Sequence, residues 1–316
     1  MNWFEGNLSA NVLNPIGFSK NELVNWKRFN ILKNSKKKIY IVDPLYKSAH
    51  AKKIENLKIK LRYAFVCTPD QEKLKIINFL IKNKVNVLVE KPFFLKSIKE
   101  YKTIKRLLKK YETKLYIAYN HRFEPNLIRL KKYLDKKIIG KIYSVEMYYG
   151  NGTSKLWSNS IWRQKDNKGV VIDLAPHLLD TYIYLFGNLP AKGDFFLNNN
   201  FENTNMDFAK FGFKKNDICI TLTTSLIDWK NNFEINIIGN KGSLHVKNLC
   251  KWDDSYLIYR KRILPSGKPN EKVFIEKMGD PTWKLEHNYF FRKLKKRRTN
   301  LNNDIIIKKF IDELFA

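Results

Sequence analysis

The sequence predicts an α/β protein in which a parallel sheet is followed by a second domain with a large, mostly antiparallel open sheet. Helical and extended segments alternate from about residue 20 to residue 118. The second half alternates apolar and polar residues and contains turn signals such as GNKG. A chain of 316 residues is long enough for two cores. We therefore expect a first domain over residues 1–118 and a second, α+β domain over residues 119–316.

In the first half, extended segments are separated by helical ones, as in a parallel βαβ sheet. The extended segments are KKIYIVDP, RYAFVCTPD, VNVLVEKP and KLYIAYN, and the helical ones are NELVNWKRFNILKN, QEKLKIINFLIKN and SIKEYKTIKRLLKKYET. Ligands of such sheets bind at the carboxyl ends of the strands. Asp43, Thr68 and Lys91 each lie at or just past such an end. We expect these three residues to line one crevice.

In the second half, the segments have the period of two that is typical of strands with one buried face. They are GKIYSVEMYYGNG, DICITLTTSLIDW, FEINIIGNKGSLHV and DSYLIYRKRIL. The segment from residue 169 to residue 187 is instead predicted to be helical. No internal repeat or linker rich in Pro and Gly separates the halves, so we expect two closely packed domains.

Composition restricts the class of protein. With 44% apolar and 14% aromatic residues, the chain can fill globular cores, and its longest apolar stretches last only a few residues. We therefore expect no membrane span, and the N-terminal residues do not resemble a signal peptide. The three cysteines, Cys67, Cys219 and Cys250, are far apart and show no spacing typical of a metal site. A cytoplasmic protein without a bound metal fits best.

The formal net charge of +30 would suit nucleic acid or an anionic membrane. The lysines, however, are spread over the whole chain, which indicates an overall coding bias more than a binding patch. One dense cluster, FRKLKKRRTN at residues 291–300, could contact phosphates or could be a solvated helix face and loop. We favour the solvated alternative, and nucleic-acid binding is the rival hypothesis.

The run GVVIDLAPHLLD, residues 169–180, places Asp173, His177 and Asp180 in an otherwise apolar segment. In a helix, a spacing of four returns Asp173 and His177 to one face. One interpretation is structural: Asp173 would cap the helix, with Pro176 in the first turn. The other is catalytic, with both side chains acting on one small molecule. Asp180 could fix the tautomer of His177 or be a solvated carboxylate.

Four motifs occur together in a fixed order: VLVEKPF, AYNHRFEPNL, IWRQ and GVVIDLAPHLLDTYIYLFG. In this order and spacing they resemble the glucose-fructose oxidoreductase and inositol 2-dehydrogenase family, often written Gfo/Idh/MocA. The resemblance covers about residues 39–316, and GSLHV resembles a late strand of the family. It implies an N-terminal Rossmann domain, a C-terminal α/β domain whose open sheet commonly forms the dimer interface, and hydride transfer between a nicotinamide cofactor and a sugar or cyclitol carbon.

The resemblance also implies roles for individual residues. The family's catalytic lysine, aspartate and histidine match Lys91, Asp173 and His177. Substrate contacts are implied for these three residues and for Asn120 and Arg122. Residues implied to lie along or near the cofactor are Thr68, Pro69, Glu90, Lys91, Pro92, Trp162 and Arg163.

The predicted chemistry needs these residue types independently of the resemblance. Oxidation of a secondary alcohol requires a base near the hydroxyl, and histidine has an ordinary pKa close to neutrality. A fixed ammonium, such as that of Lys91, would stabilise the negative charge that develops on the oxygen. Asp173 could hold a neighbouring substrate hydroxyl or the lysine. We therefore expect His177 to act as the base.

The predicted phosphate loop departs from the usual G-x-G-x-x-G pattern. The segment NPIGFSKNEL, residues 14–23, has Gly17 alone, with Ser19 and Lys20 available to contact phosphate. The preceding LSANVL makes a poor first strand. Either the cofactor binds in an altered mode, or the first strand is absent, or cofactor binding has been lost. Lys73 also occupies a position at which relatives often have histidine.

Asp43 stands where an acidic residue would bind the adenosine ribose, which favours NAD over NADP. Lys47 could accommodate a 2′-phosphate, so NADP is not excluded, and Asp43 could instead serve an Asp-Pro turn. The sequence thus predicts an NAD(P)-dependent oxidoreductase that acts on a hydroxyl or keto carbon of a sugar, cyclitol or nucleotide-linked sugar and forms a homo-oligomer through its C-terminal sheet. The alternatives are a cofactor-poor relative that binds a sugar or a partner without redox turnover, and a basic nucleic-acid binder.

Overall fold

The computed structural model describes residues 12–15, 23–33, 38–44, 46–68, 70–158 and 168–316. The chain divides into two compact units, the first formed by Met1–Tyr119 with Trp283–Ile305 and the second by Asn120–Thr282 with Ile306–Ala316. The boundary near residue 119 is close to the predicted one. Residues 283–305 differ from the prediction, because they belong to the first unit. Two rings of this stretch explain the difference, since Phe290 and Phe291 pack against Tyr63 of the first unit at 5.8 and 4.8 Å between ring centroids.

The first unit contains a parallel sheet of five strands. The strands are β1 (Val12–Pro15), β2 (Ile39–Val42), β3 (Tyr63–Val66), β4 (Asn86–Glu90) and β5 (Leu115–Ala118), in the order β2-β1-β3-β4-β5. The helices between them are α1 (Leu23–Lys33), α2 (Asp70–Lys82) and α3 (Ile98–Lys110). Strands β3 and β5 are buried along their whole length, as expected for a sheet covered on both faces. The four predicted strands and three predicted helices of this half are confirmed.

Strand β1 corrects the expectation of a poor or absent first strand. It pairs in parallel with β2 through Val12–Pro15 and with β3 through Val12 and Leu13. Pairing on both sides overrides a weak local propensity, because strand formation depends strongly on tertiary context. Since β1 lies between β2 and β3, the chain order reverses there, which is the point at which open parallel sheets bind ligands.

The basic segment 291–300 runs along the free side of β5. Arg297 donates its backbone N–H to Thr113 O at 2.7 Å, and the Asn300 side chain bonds both backbone groups of Ile117 at 2.8 Å. The side chains of residues 295–298 point to solvent. The segment therefore covers a sheet edge, which agrees with the solvated alternative for this cluster.

The second unit contains a sheet of eight strands in the order β13-β12-β11-β10-β6-β9-β8-β7. The strands are β6 (Ile142–Gly150), β7 (Asp194–Asn199), β8 (Phe208–Lys215), β9 (Ile218–Ser225), β10 (Asn232–Gly239), β11 (Gly242–Lys247), β12 (Ser255–Lys261) and β13 (Asn270–Glu276). Among these eight described strands, only β6 and β9 pair in parallel. The predicted fold class, a parallel sheet plus a mostly antiparallel one, is thus confirmed.

Helices of the second unit pack against this sheet. The helices of this unit are α4 (Pro125–Asp135), α5 (Ser154–Ser158), α6 (Gly169–Asp173) and α7 (Ala175–Phe186), while α8 (Thr282–Asn288) and α9 (Leu301–Leu314) contain the two later unit boundaries. Helix α7 packs against β6 and β9, where Val145, Met147 and Tyr149 alternate as buried residues. None of the helices in the described ranges is long and apolar enough to cross a bilayer.

Candidate active site

The Glu-Lys-Pro motif forms a turn directly after β4. Glu90 is the last residue of the strand, the Lys91–Pro92 peptide bond is cis, and Phe93 is buried. The backbone N–H of Phe93 donates to Asp304 Oδ1 at 3.4 Å. Lys91 itself is half-buried. The backbone before it belongs to β4 and the backbone after it is held by the hydrogen bond of Phe93.

A buried arginine holds the side chain that precedes Lys91. Arg28, on α1, is fully buried and forms an ion pair with Glu90 and another with Glu286 at 2.9 Å. Its guanidinium lies 4.5 Å from the ring centroid of Trp283. Burial opposes the charge of Arg28, but the two carboxylates outweigh this and raise its pKa. Breaking a buried ion pair typically costs about 3–5 kcal/mol, so this cluster fixes Glu90 firmly.

Lys73, the residue that departs from the family pattern, also contacts this turn. Its ammonium donates hydrogen bonds to the carbonyl oxygens of Glu90 at 2.9 Å and Pro92 at 2.8 Å. These two carbonyls lie on either side of Lys91. The backbone of the motif is therefore held by one cation and its glutamate side chain by another.

Three predicted cofactor-side residues lie at the carboxyl edge of the parallel sheet. Asp43 follows β2, Thr68 follows β3 and Lys91 follows β4. Asp43 is fully buried, and its Oδ1 accepts the backbone N–H of Tyr46 at 2.9 Å, which is the turn role left open by the sequence. Ribose binding by Asp43 stays a prediction. Gly17, Ser19, Pro69, Trp162 and Arg163 lie outside the described residues.

A buried hydroxyl at this edge suits a bound nucleotide. Thr68 Oγ1 is buried and has no hydrogen-bond partner within the described ranges. It lies two residues after β3, beside the point where the strand order reverses. Buried hydroxyls in native proteins are almost always satisfied, so a polar ligand at the sheet edge is the natural partner. The residues present therefore fit a dinucleotide.

The second unit positions Asp173 and His177 on two short helices separated by Leu174. Asp173 ends α6 and His177 lies in the first turn of α7. The predicted cap is wrong, because Leu174 is the N-cap of α7 and no side chain caps it. Pro176 is in the first turn, as predicted. The backbone N–H of His177 still bonds Leu174 O at 3.1 Å, so Asp173 and His177 remain about one turn apart.

A glycine allows this helical pair to begin. Gly169 has φ of +45°, and a Cβ on it would lie 1.9 Å from Met206 O. The next backbone N–H, of Val170, bonds the same carbonyl at 2.7 Å. Only glycine fits this close approach, which explains the glycine at the start of the motif.

His177 belongs to a group of four rings and one ammonium that we call the ring cluster: His121, Tyr149, His177, Lys251 and Trp252. The imidazoles of His121 and His177 stack, with centroids 4.2 Å apart and planes 19° from parallel. Tyr149 meets His177 edge-on at 5.7 Å. His177 is 8% exposed and His121 is 2% exposed. Packing of this kind restricts the imidazole of His177 to a narrow range of orientations.

Lys251 brings a positive charge into the ring cluster. Its Nζ lies 4.0 Å from the ring centroid of Trp252 and 3.3 Å from both His121 Nε2 and the Tyr149 hydroxyl. Because an ammonium can only donate, Nε2 of His121 accepts and carries no proton. His121 is therefore a neutral imidazole stacked on His177.

Tyr149 is a protonated hydroxyl beside this pair. Burial raises the pKa of Tyr149, and the negative charge of Asp173 raises it further. A phenol with a raised pKa keeps its proton at neutral pH. Tyr149 can therefore donate a hydrogen bond but cannot act as a base.

Two predicted substrate contacts have partners within the second unit. Asn120 Nδ2 donates to Thr282 Oγ1 at 3.0 Å. Arg122 forms a bidentate pair with Asp180, through Nε at 2.5 Å and Nη2 at 2.6 Å. The solvated alternative for Asp180 is wrong, because its side chain is 1% exposed. Direct substrate contacts by Asn120 and Arg122, and a role of Asp180 in fixing the tautomer of His177, stay predictions.

The sequence alone did not identify four members of the ring cluster. His121 lies inside the quoted motif AYNHRFEPNL, and Tyr149 continues the inward alternation of β6, so both had a readable signal. Lys251 and Trp252 follow β11 in a turn, where nothing local indicates that they contact His121 or Tyr149.

Known proteins resemble this chain in sequence and in fold. An uncharacterized oxidoreductase, YdgJ of Escherichia coli K12, is 27% identical over 127 residues, which are 40% of this chain and 36% of that protein. An oxidoreductase from Agrobacterium radiobacter, solved with NAD+, L-tartaric acid and magnesium, shares the fold with a TM-score of 0.76 and 15% identity over 98% of this chain and 97% of its own. A levoglucosan dehydrogenase, solved with NADH and levoglucosan, has a TM-score of 0.75 and 14% identity over 97% of both chains.

Two family models match successive parts of the chain. Residues 10–119 match the oxidoreductase family with an NAD-binding Rossmann fold, and residues 127–245 match the Gfo/Idh/MocA C-terminal domain. The matched residues include the VLVEKPF, IWRQ and GVVIDLAPHLLDTYIYLFG motifs, whereas most of AYNHRFEPNL lies between the two matches. The chain therefore belongs to the Gfo/Idh/MocA family of oxidoreductases.

Proposed function

We propose that this protein is an NAD(P)-dependent dehydrogenase that transfers a hydride to or from a hydroxyl or keto carbon of a sugar, cyclitol or nucleotide-linked sugar. The observation that carries the proposal is the ring cluster, in which the buried imidazole of His177 stacks on that of His121. A base that must take a proton from one hydroxyl needs a fixed orientation and a near-neutral ordinary pKa.

His177 is the proposed proton carrier. When bound, the nicotinamide would accept or supply the hydride. During oxidation the substrate hydroxyl donates its proton to His177, and in the reverse direction His177 returns it. The neutral state of the stacked His121 leaves His177 able to take up this proton without a second imidazolium directly against it.

Lys91 is proposed to stabilise the substrate oxygen as negative charge develops on it. An ammonium fixed before the reaction needs no reorganisation when the charge appears, which is the main advantage of such groups over water. The hydrogen bonds of Lys73 and the ion pair of Glu90 support a fixed backbone at this position. Asp173 would bind a neighbouring substrate hydroxyl.

The cofactor is proposed to bind at the carboxyl edge of the parallel sheet, along Thr68, Glu90, Lys91 and Pro92. The buried hydroxyl of Thr68 and the reversed strand order beside it support this location. Asp43 would favour NAD over NADP if its second carboxylate oxygen meets the ribose. The solved oxidoreductases with NAD+ and with NADH are consistent with this preference.

The substrate class is supported by a relative and by the chemistry of the site. One protein of the same fold is a dehydrogenase bound to levoglucosan, an anhydrosugar. The proposed groups, a base, an ammonium and a hydroxyl-binding carboxylate, suit a polyhydroxylated ring with adjacent secondary alcohols.

A turnover screen tests this proposal. The purified protein is mixed with NAD+ or NADP+ and a panel of sugars, cyclitols and nucleotide-linked sugars, and the absorbance of the reduced nicotinamide is followed. We expect turnover with at least one substrate and faster turnover with NAD+. Absence of turnover across the panel, in both directions and with both cofactors, would contradict the proposal.

The glycine-poor segment 14–23 favours a second candidate, a relative that binds a sugar without redox turnover. Glycines normally let the backbone approach the pyrophosphate, and this segment has only Gly17. Isothermal titration with the same panel separates the two candidates. Sugar binding without any binding of nicotinamide nucleotides would favour the second.

We also propose that the outer face of the eight-stranded sheet forms a homo-oligomer interface. This face carries half-exposed and exposed apolar side chains, including Ile238, Val273 and Ile275. Light scattering after gel filtration measures the assembly. A dimer in wild type that becomes a monomer on Ile275→Lys is the expected result, and a wild-type monomer would contradict it.

A further inference from the structure

Lys73 is a cation in two unfavourable environments, and its ammonium makes two hydrogen bonds to the Glu-Lys-Pro turn. The residue is 3% exposed, and lysine is among the residues least often buried. It also lies in the first turn of α2, where the helix dipole disfavours a cation. A methionine or leucine would fill the same space without either cost. The hydrogen bonds from its ammonium to Glu90 O and Pro92 O must offset both.

These two bonds act on the backbone of Lys91 specifically. The carbonyl of Glu90 belongs to the peptide group before Lys91, and the carbonyl of Pro92 lies two residues further along. When both carbonyl groups are held, the backbone on either side of Lys91 is constrained. The direction of its Cα–Cβ bond is constrained as a result. The ion pair of Glu90 with Arg28 acts on a side chain and cannot replace this constraint.

We propose that Lys73 is a positioning residue for Lys91, holding the Glu-Lys-Pro turn so that the Lys91 ammonium occupies one location. The inference rests on the proposed function for its catalytic consequence, but the positioning itself can be measured without cofactor or substrate. It predicts that the chemical reactivity of the Lys91 amine depends on residue 73. A purely structural role predicts a change in stability alone.

Competitive labelling measures this reactivity. The intact protein is treated with a trace of acetic anhydride, and peptide mass spectrometry gives the labelling of Lys91 relative to exposed Lys96. In Lys73→Met we expect this ratio to change by about threefold or more, the size that corresponds to one net hydrogen bond. Lys75→Met, an exposed lysine on the same helix, should leave it unchanged. Lys73→Arg keeps charged donors and should restore most of the wild-type ratio.

The kinetic readout follows once a substrate is known. Lys73→Met should lower kcat about 10- to 100-fold with a much smaller change in the KM for the cofactor, because displacement of a catalytic group mainly affects the transition state. If Lys73→Met does not fold, Lys73→Gln replaces it, since its shorter amide cannot reach both carbonyls. An unchanged labelling ratio in the folded variant would overturn the inference. A changed ratio in a protein that never turns over nicotinamide would uphold it and contradict only the proposed function.

Discussion

The two units hold their reactive side chains by different means. In the first, Lys91 follows a strand, and buried cations bond the backbone and the side chain next to it. In the second, His177 lies on a short helix and is oriented by ring stacking, with Lys251 fixing the protonation of the stacked partner. Hydrogen bonds fix direction and distance, whereas stacked rings fix a plane and still permit small sliding. We therefore expect a larger response to changes around Lys91 than to equally conservative changes around His177.

Replacement of His177 by Asn should have the largest effect. We expect kcat to fall about 100- to 10,000-fold, the usual contribution of a general base. The limb of the pH profile that reports the imidazole should disappear as well. His245→Asn on the eight-stranded sheet, where the histidine bonds Asn236 and Ser243, is the matched control. Steady-state kinetics across pH measures both, and a retained limb in His177→Asn would assign the base elsewhere.

Replacement of Lys91 by Ala is the corresponding change in the first unit. Turnover should fall about 100- to 1,000-fold, the effect of removing one donor that stabilises a developing oxyanion. The midpoint of thermal unfolding should stay within a few degrees, because Lys91 is only half-buried. Lys96→Ala, which changes an exposed lysine in the same connection between β4 and α3, serves as control. Unchanged activity of Lys91→Ala would remove the ammonium from the mechanism.

Variants of His121 sharpen the comparison at the ring cluster. His121→Phe retains a ring to stack on His177, whereas His121→Ala removes it. An aromatic pair contributes about 0.5–1.5 kcal/mol, so His121→Ala should lower kcat up to about tenfold and His121→Phe by less. Kinetics and thermal unfolding of both variants measure this. Equal losses in the two variants would mean that the Lys251 contact, and not the stacking, matters.

The smallest expected effect comes from Lys114, whose titration should change the free energy of unfolding with pH. Its buried ammonium bonds Phe291 O at 3.3 Å, Leu294 O at 2.9 Å and, by a shorter contact, Phe290 O. Burial and, to a smaller extent, the charge of Arg62 together lower the pKa of Lys114 from 10.5 to about 8. Between these two values the unfolded chain binds more protons than the folded one, so stability rises as pH increases through that window.

The size of this effect follows from the same linkage. From about pH 8 to about pH 9.5, the free energy of unfolding of wild type should rise by about 1.5 kcal/mol more than that of Lys114→Met. Urea unfolding at the two pH values measures the difference. Parallel pH dependence in the two proteins would show that the carbonyl bonds keep the ammonium charged throughout the range.

The same contrast explains what could be predicted from the sequence. Local patterns in the sequence predict three features: the parallel strands after the first, the Glu-Lys-Pro turn and the Asp173–His177 spacing. The first strand has a weak local signal because its stability comes from neighbours on both sides. The position of residues 283–305 depends on ring contacts of Phe290 and Phe291 with a distant strand. Local periodicity does not encode such contacts.

The ring cluster and the Lys73 bonds depend on distant contacts for the same reason. Lys251 and His121 are separated by 130 residues in the chain, and Lys73 and Pro92 by 19. Strands β7, β8 and β13 were not predicted. Strands β7 and β13 show little alternation because their side chains are mostly exposed. Strand β8 does alternate, with Ala209, Phe211 and Phe213 buried, so its local pattern could have identified it. A sequence thus identifies charged residues within motifs more readily than the neighbours that orient them.

Titration with reduced nicotinamide tests the central claim most directly, because hydride transfer requires that the cofactor bind. Purified protein is titrated with NADH and, separately, NADPH while the nicotinamide fluorescence is followed, with Thr68→Val as a matched variant that keeps shape and removes the buried hydroxyl. We expect saturable enhancement, with tighter binding of NADH than of NADPH and weaker binding in Thr68→Val. No enhancement with either nucleotide, in a protein shown to be folded, would contradict it.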